Sequence, residues 1–233
     1  MNTESARIGQ NGAHWHVFDS IDTSIADAPV LILANAHDAA RIANQHGDPT
    51  RGVRDQLTLL DVTLAEPLRV PVIGNGYAVP LGLRETLISA TYDIDSTDRE
   101  IRESGHRENI ERVTRMLPGF APADSAPRRG RVAFRCVTSD RMPMIGQLAD
   151  EDAAHRDARR LSGAWPLDLP RLAGLYGAFA FGSRGLVWSV LAAELIASQI
   201  EGELLPIERE LAEAVDPSRF FLRSLRHRDV APT

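Results

Sequence analysis

The sequence predicts an α/β fold of mixed α+β character, part parallel sheet and part mixed or antiparallel sheet. Three observations predict it. Two apolar runs, residues 30–34 (VLILA) and 172–181 (LAGLYGAFAF), lack polar alternation and expect cover on both faces, as in a parallel sheet between helix layers. Between them, residues 57–92 break into β-like runs (LTLLDVTL, YAVPL, TLISATY) separated by Gly and Pro, the mark of an antiparallel or mixed sheet. Helical periodicity over 97–117 and 186–200 supplies the covering layers.

Taken in order, residues 14–19 (HWHVFD) read as a strand closed by an Asp-Ser turn. Pro29 opens the 30–34 strand, and Asp38 is placed to cap a short helix through Ile42. Residues 45–56 (QHGDPTRGVRDQ) read as a loop around Gly-Asp-Pro. Thr97 with Glu100 forms a capping box for the 97–117 helix, with Ile110, Val113 and Leu117 on one face and Pro118-Gly119 as the stop. Residues 121–130 are a linker, and 131–137 (RVAFRCV) alternate as a strand with Arg131, Ala133 and Arg135 on one side. Residues 151–163 read as a solvated helix or insertion, 208–214 as a short helix, and 216–220 (DPSRF) begin a terminal helix bearing Arg223, Arg226 and Arg228.

Composition bounds the function. A chain of 233 residues, 43% hydrophobic and 25% charged, is long enough for a sizeable core without a disulfide or metal staple. Its net charge of −6 argues against wholesale coating of nucleic acid. The single cysteine, Cys136, excludes an internal disulfide or a cysteine metal set and fits a reducing cytoplasm. Residues 1–14 carry no apolar signal segment, and no apolar run reaches the ~20 residues of a membrane span. A soluble cytoplasmic protein, with no membrane partner, is the expectation.

Four groups of residues stand out chemically. The junction Gly182-Ser183-Arg184-Gly185-Leu186 carries a buried strand through glycines into a helix, whose free N–H groups and dipole suit an anion. A plain tight turn explains it equally well. Arg135, at a strand end, suits a substrate carboxylate, although a surface pair with Asp140 is the commoner fate of such a residue. The histidines at 14, 16, 37, 46, 106, 155 and 227 show no metal-ligand spacing, so no metal is expected. The basic stretch 219–228 reads as a solvated face before it reads as a phosphate contact.

Several segments in one order carry a resemblance: VLILANAHDA, GYAVP with ISATYD, RENIERVTRMLPG, RVAFRCVTSDRMPMIG, FGSRGLVWSVLAAELIASQIEGELLPIE and DPSRFFLRSLR. From about residue 15 to 226 they resemble the second half of the D-amino-acid-oxidase-like, FAD-dependent oxidoreductases. The match is best in the oxidoreductase domain of the bifunctional tRNA-modifying branch. The resemblance implies the C-terminal part of a glutathione-reductase-like FAD fold. Residues 1–44 and 168–233 would belong to the FAD-binding domain and 45–167 to the substrate domain. It implies FAD as cofactor, with Ala34, Asn35, Ala36, Gly182, Ser183, Arg184, Gly185 and Leu186 along the flavin, and Arg135 and Tyr77 at the substrate.

It further implies oxidative removal of the carboxymethyl group of 5-carboxymethylaminomethyl-(2-thio)uridine at the tRNA wobble position. A free amino-acid oxidase of the glycine or sarcosine type, or an inactive remnant serving as an interaction module, are the alternatives. The family's G-x-G-x-x-G turn does not occur in this sequence, where the close glycine pair is Gly74-Asn75-Gly76. One flank of the parallel strands is therefore expected to be unpaired, which fits either a truncated, unstable remnant or a chain that docks with a second one supplying the nucleotide-binding half.

Overall fold

The computed structural model describes residues 5–43, 49–61, 68–82, 85–120, 128–161 and 163–228. In chain order the strands are β1 (Ser5–Asn11), β2 (His14–Asp19), β3 (Ser24–Ala28), β4 (Leu31–Leu33), β5 (Thr50–Asp61), β6 (Val72–Gly74), β7 (Gly76–Pro80), β8 (Glu85–Ser89), β9 (Asp93–Ile94), β10 (Arg128–Thr138), β11 (Met144–Ala149) and β12 (Arg171–Phe179). The helices are α1 (Asp38–Ile42), α2 (Glu103–Met116), α3 (Glu151–Arg156), α4 (Gly185–Glu201), α5 (Arg209–Val215) and α6 (Arg219–Arg228). The chain forms two compact units, one of Met1–Arg51 with Cys136–Thr233 and one of Gly52–Arg135.

In the first unit β1, β2 and β3 make an antiparallel meander. The Asp19 carboxylate closes the turn after β2 by accepting the Ile21 and Thr23 N–H groups at 3.0 and 2.8 Å. A second sheet runs β11-β12-β4, with β12 antiparallel to β11 and parallel to β4. Leu175 and Phe179 of β12 enter a core with Trp15, Leu33, Ala39 and Ile42, and Tyr176 points to the other face, into a core with Leu195 and Ile196 of α4 and Val215 of α5. Trp15 ties the meander to β12 by donating its indole N–H to the Ala173 carbonyl at 2.8 Å. Gly174 makes this close approach possible: at φ +72° a Cβ there would lie 2.2 Å from the Pro29 carbonyl oxygen.

The second unit holds the sheet β10-β5-β8-β7-β6, with β9 also paired to β5. Leu60, Ala78 and Ile88 of this sheet pack on Val113 of α2 and on Phe120, with Ile110 and Leu117 alongside. Gly119, at φ +93°, ends the segment after α2.

Several expectations are corrected. Residues 50–56 are not a loop but the first part of β5; residues 45–48 of that stretch, with His46, lie outside the described residues. Helix α2 begins at Glu103, with Arg102 and not Thr97 at its cap. His37, not Asp38, stands at the N-cap position of α1 and makes no side-chain cap bond, and Asp38 instead pairs with Arg41 at 3.0 Å. Strand β4 is not covered on both faces, since Ile32 is 44% exposed. The 151–163 stretch is less solvated than its charge suggests: Glu151 and Ala154 are buried. The 121–127 part of the linker and the side chains of His227 and Arg228 lie outside the described residues. Among the described residues no helix is long and apolar enough to cross a membrane.

Candidate functional site

Strands β4 and β12 are parallel, so the segments leaving them emerge at the same end of the sheet. Leu33 lies beside Gly177, and the register carries residues 34–36 and 180–186 outward together. Carboxyl ends of parallel strands are where α/β sheets hold ligands. Both exits take left-handed backbone at a residue that resists it: Ala36 at φ +55° and Ala180 at φ +60°. Gly182 is also left-handed, at φ +58°, and donates its N–H to the Cys136 carbonyl at 3.0 Å. Cys136 itself is buried in the core.

Helix α4 then starts without a capping side chain and with no acidic residue in its first turn. Ser183, Arg184 and Leu186 are exposed. A Cβ on Gly185 would come no nearer than 3.9 Å to another residue, so the backbone there is open to a flat ligand. The exposed Ala34 and Asn35 border the neighbouring exit, and the buried Nε2 of His37 has no partner among the described residues. An uncapped helix N-terminus of this kind favours electron-rich atoms at the ligand edge.

The second unit carries the carboxylate-binding candidate. Side chains alternate along β5: Arg54, Gln56, Thr58 and Leu60 face α2, and Asp55 faces away. Arg135 of β10 reaches Asp55 and donates an N–H of Nη2 to Oδ2. Tyr77 flanks Ala78, which packs toward α2, so Tyr77 lies on the same sheet face as Asp55 and Arg135. The Arg135 side chain is 23% exposed and that of Asp55 only 6%. Burial raises the Asp55 carboxyl above its ordinary pKa, and the Arg135 guanidinium opposes that rise. Asp55 Oδ1 is buried without a partner among the described residues.

The Arg135–Asp140 pair weighed from the sequence does not form. Asp140 accepts instead from Arg219 Nε and Nη2 at 2.9 and 3.0 Å, from the Thr138 hydroxyl at 2.8 Å and from the Met142 N–H at 3.0 Å. Burial pushes its pKa up, but these bonds outweigh burial and hold it at about 2. Arg219 is thus buried and spent on the fold rather than presented on a basic face. Asp55 is the residue that sequence reasoning missed. It stood in a polar stretch read as loop, and only the strand alternation of 53–61 marks it as facing Arg135.

A cavity of about 250 Å³ in the first unit is lined by Trp15, Ile42, Asp150 and Glu151 among others, and none of the predicted site residues borders it. Among the described residues no three His, Cys, Asp or Glu side chains gather as a metal site.

Residues 1–199 match the family described as FAD dependent oxidoreductase (DAO). The chain belongs to this family. FAD is the family's cofactor. The tRNA 5-methylaminomethyl-2-thiouridine biosynthesis bifunctional protein MnmC of Paraburkholderia xenovorans (strain LB400) is 62% identical over 99% of this chain. The protein of the same name from Burkholderia mallei (strain SAVP1) is 54% identical over 99% of it. In both cases the chain spans 36% of the relative's length. Glycine oxidase from Geobacillus kaustophilus superposes with a TM-score of 0.70 at 20% identity, covering 93% of this chain and 52% of that one. Iminodiacetate oxidase from Chelativorans sp. BNC1 does so with 0.69 at 20%, covering 93% and 53%. These likenesses establish the family's fold for the chain.

Proposed function

We propose that this chain supplies the substrate-binding face and the flavin-edge turns of an FAD-dependent amine oxidoreductase. Its substrate is the 5-carboxymethylaminomethyl-(2-thio)uridine of a tRNA wobble position, which loses its carboxymethyl group by oxidation. One observation carries the reading: the Arg135 guanidinium, held at one N–H by Asp55, has no other partner among the described residues. The modified side chain is a secondary amine bearing a carboxymethyl group, and that carboxylate suits the free edge of a guanidinium. The name shared by the relatives, at 62% and 54% identity, supports the tRNA substrate.

In this reading Arg135 binds the carboxylate and fixes the C–H bond to be broken, and Tyr77 borders the substrate on the same face. Ala34, Asn35, Ala36 and Gly182–Leu186 hold the flavin ring, with the uncapped N–H groups of α4 toward its electron-rich edge. Bound FAD supplies the two-electron oxidation. Hydrolysis of the oxidised side chain then yields glyoxylate and an aminomethyl group, so positioning carries most of what the protein must do.

The nucleotide end of FAD needs residues beyond these, because the sequence has no G-x-G-x-x-G turn. Two surfaces of the first unit suit a second polypeptide carrying that half. The outer edge of β4 is unpaired among the described residues, and the outer face of α4 is apolar, with Leu186, Val187 and Val190 exposed. The place of action is the cytoplasm, where tRNA is modified.

The test mixes the chain with a polypeptide carrying the nucleotide-binding half, FAD and tRNA bearing the carboxymethylaminomethyl group, and assays glyoxylate. Release from the tRNA and not from glycine or N-methylglycine is expected. Turnover of glycine instead would establish a free amino-acid oxidase. No flavin absorbance and no glyoxylate would leave an interaction module and end the enzymatic reading.

A further inference from the structure

Asp55 carries more than a counter-charge. Its side chain is only 6% exposed, on the sheet face shared by Arg135 and Tyr77. One carboxylate oxygen is engaged by Arg135, and the other, Oδ1, has no partner among the described residues. A buried anionic oxygen left bare costs free energy that a ligand donor would recover. The donor set of a glycine-like amine matches this arrangement: its carboxylate addresses the guanidinium, and its N–H groups lie one carbon away, next to the residue that holds the guanidinium.

We propose that Asp55 is the amine-binding partner of Arg135: Oδ2 positions the guanidinium, and Oδ1 accepts an N–H of the substrate amine and takes its proton. The inference rests on the amine-oxidoreductase reading above. The step balances simply. A substrate amine arrives as –NH2⁺–, its N–H bond breaks and leaves the electron pair on nitrogen, and an O–H bond forms on Asp55. The neutral amine that results is the species whose adjacent C–H bond can be oxidised. Engagement of Arg135 by the substrate carboxylate withdraws the compensating charge from Asp55 and so makes its carboxylate a better proton acceptor. The charged group acting on Asp55 is Arg135, and strand alternation places Tyr77, Asp61, Glu85, Arg129 and Arg131 on the same face, with Glu85 paired to Arg129. Arg54, one residue away on the strand, points to the opposite side and is bound to Asp93 and to the carbonyls of Asp98 and Glu100.

The experiment uses the full 233-residue chain and two probes, N-methylglycine and acetate, which differ by the amine. Binding is followed by the Arg135 side-chain N–H resonance, and protonation of Asp55 by its 13Cγ shift. Wild type should bind N-methylglycine at least about tenfold more tightly than acetate, the ratio expected of one charge-assisted bond. The Asp55 carboxyl signal should move toward its protonated position with N-methylglycine alone. Asp55→Asn should bring the two affinities within about twofold of each other while acetate still binds. Equal loss of both probes in Asp55→Asn, with Asp55→Glu restoring both alike, would make Asp55 a structural prop and overturn the proposal. Binding of neither probe by wild type, with Arg135→Lys indistinguishable from it, would overturn the carboxylate site itself. Thermal melts of the variants separate these results from misfolding, and Asp55→Glu retains the charge should Asp55→Asn fail to fold.

Discussion

Asp140 shows how one side chain ties local turn chemistry to the tertiary fold. It closes the turn after β10 by accepting from Met142 N–H and Thr138, and it neutralises Arg219, which is buried at the start of α6. Because its folded pKa, about 2, lies below the ordinary 3.8, its contribution is fully present above about pH 4 and is lost as the pH falls toward 2. Chemical unfolding measured between pH 2 and 5 should show about 1–2 kcal/mol of this acid sensitivity, and Asp140→Asn should remove it. An unchanged acid slope in the variant would dismiss the pair as a stabilising contact. The sequence offered Asp140 and Arg135 as neighbours five residues apart. The partner that Asp140 takes lies 79 residues away, and nothing in local spacing signals a contact of that range.

At the scale of an element, β5 and the start of α2 explain each other. Arg54, Gln56 and Thr58 are fully buried polar residues on the α2 side of β5. Arg54 donates to the carbonyls of Asp98 and Glu100, and Gln56 both donates to the Arg102 carbonyl at 2.7 Å and accepts its N–H at 2.8 Å. The Asp98 and Glu100 carbonyls are taken by Arg54 instead of by helical N–H groups, whereas the Arg102 carbonyl also accepts from Gly105 and His106 N–H. The helix therefore starts at Glu103 although Thr97 and Glu100 spell a capping box. Thr58 Oγ1 meets His106 Nδ1 at 2.8 Å, and burial holds that imidazole below its usual pKa. The same polar residues made 45–56 look like solvent-facing loop, because polarity in a sequence does not say whether water or protein is the partner. Arg54→Met should destabilise the second unit by about 3–4 kcal/mol, since two carbonyls and Asp93 lose their donor together. Amide exchange over β5 and the start of α2 checks it, and protection equal to wild type would contradict the ladder.

For the whole molecule, the exposed face of α4 is the feature that a completed core would not leave. Leu186 is 94% exposed, and Val187 and Val190 lie beside it along one stripe. A helix apolar on every side belongs in an interior. Replacing Leu186, Val187 and Val190 together with Gln should change the melting temperature of the isolated chain by no more than about 3 °C, because these side chains are mostly exposed in it. The variant should sediment as a monomer where wild type self-associates, and should no longer be retained by the nucleotide-binding half. Wild type that stays monodisperse and ignores that half would dispose of the docking surface. The sequence by itself determined the two parallel strands, the apolar helix after the glycine junction and the family, because continuous apolar runs, glycine turns and ordered motifs are local properties of the chain. Only the tertiary structure decided that Asp55 faces Arg135, that Arg219 belongs to Asp140 and that α4 keeps a bare apolar face. Each of these depends on which distant segment fills the space opposite, and a side chain's chemistry leaves that partner open until the chain has folded.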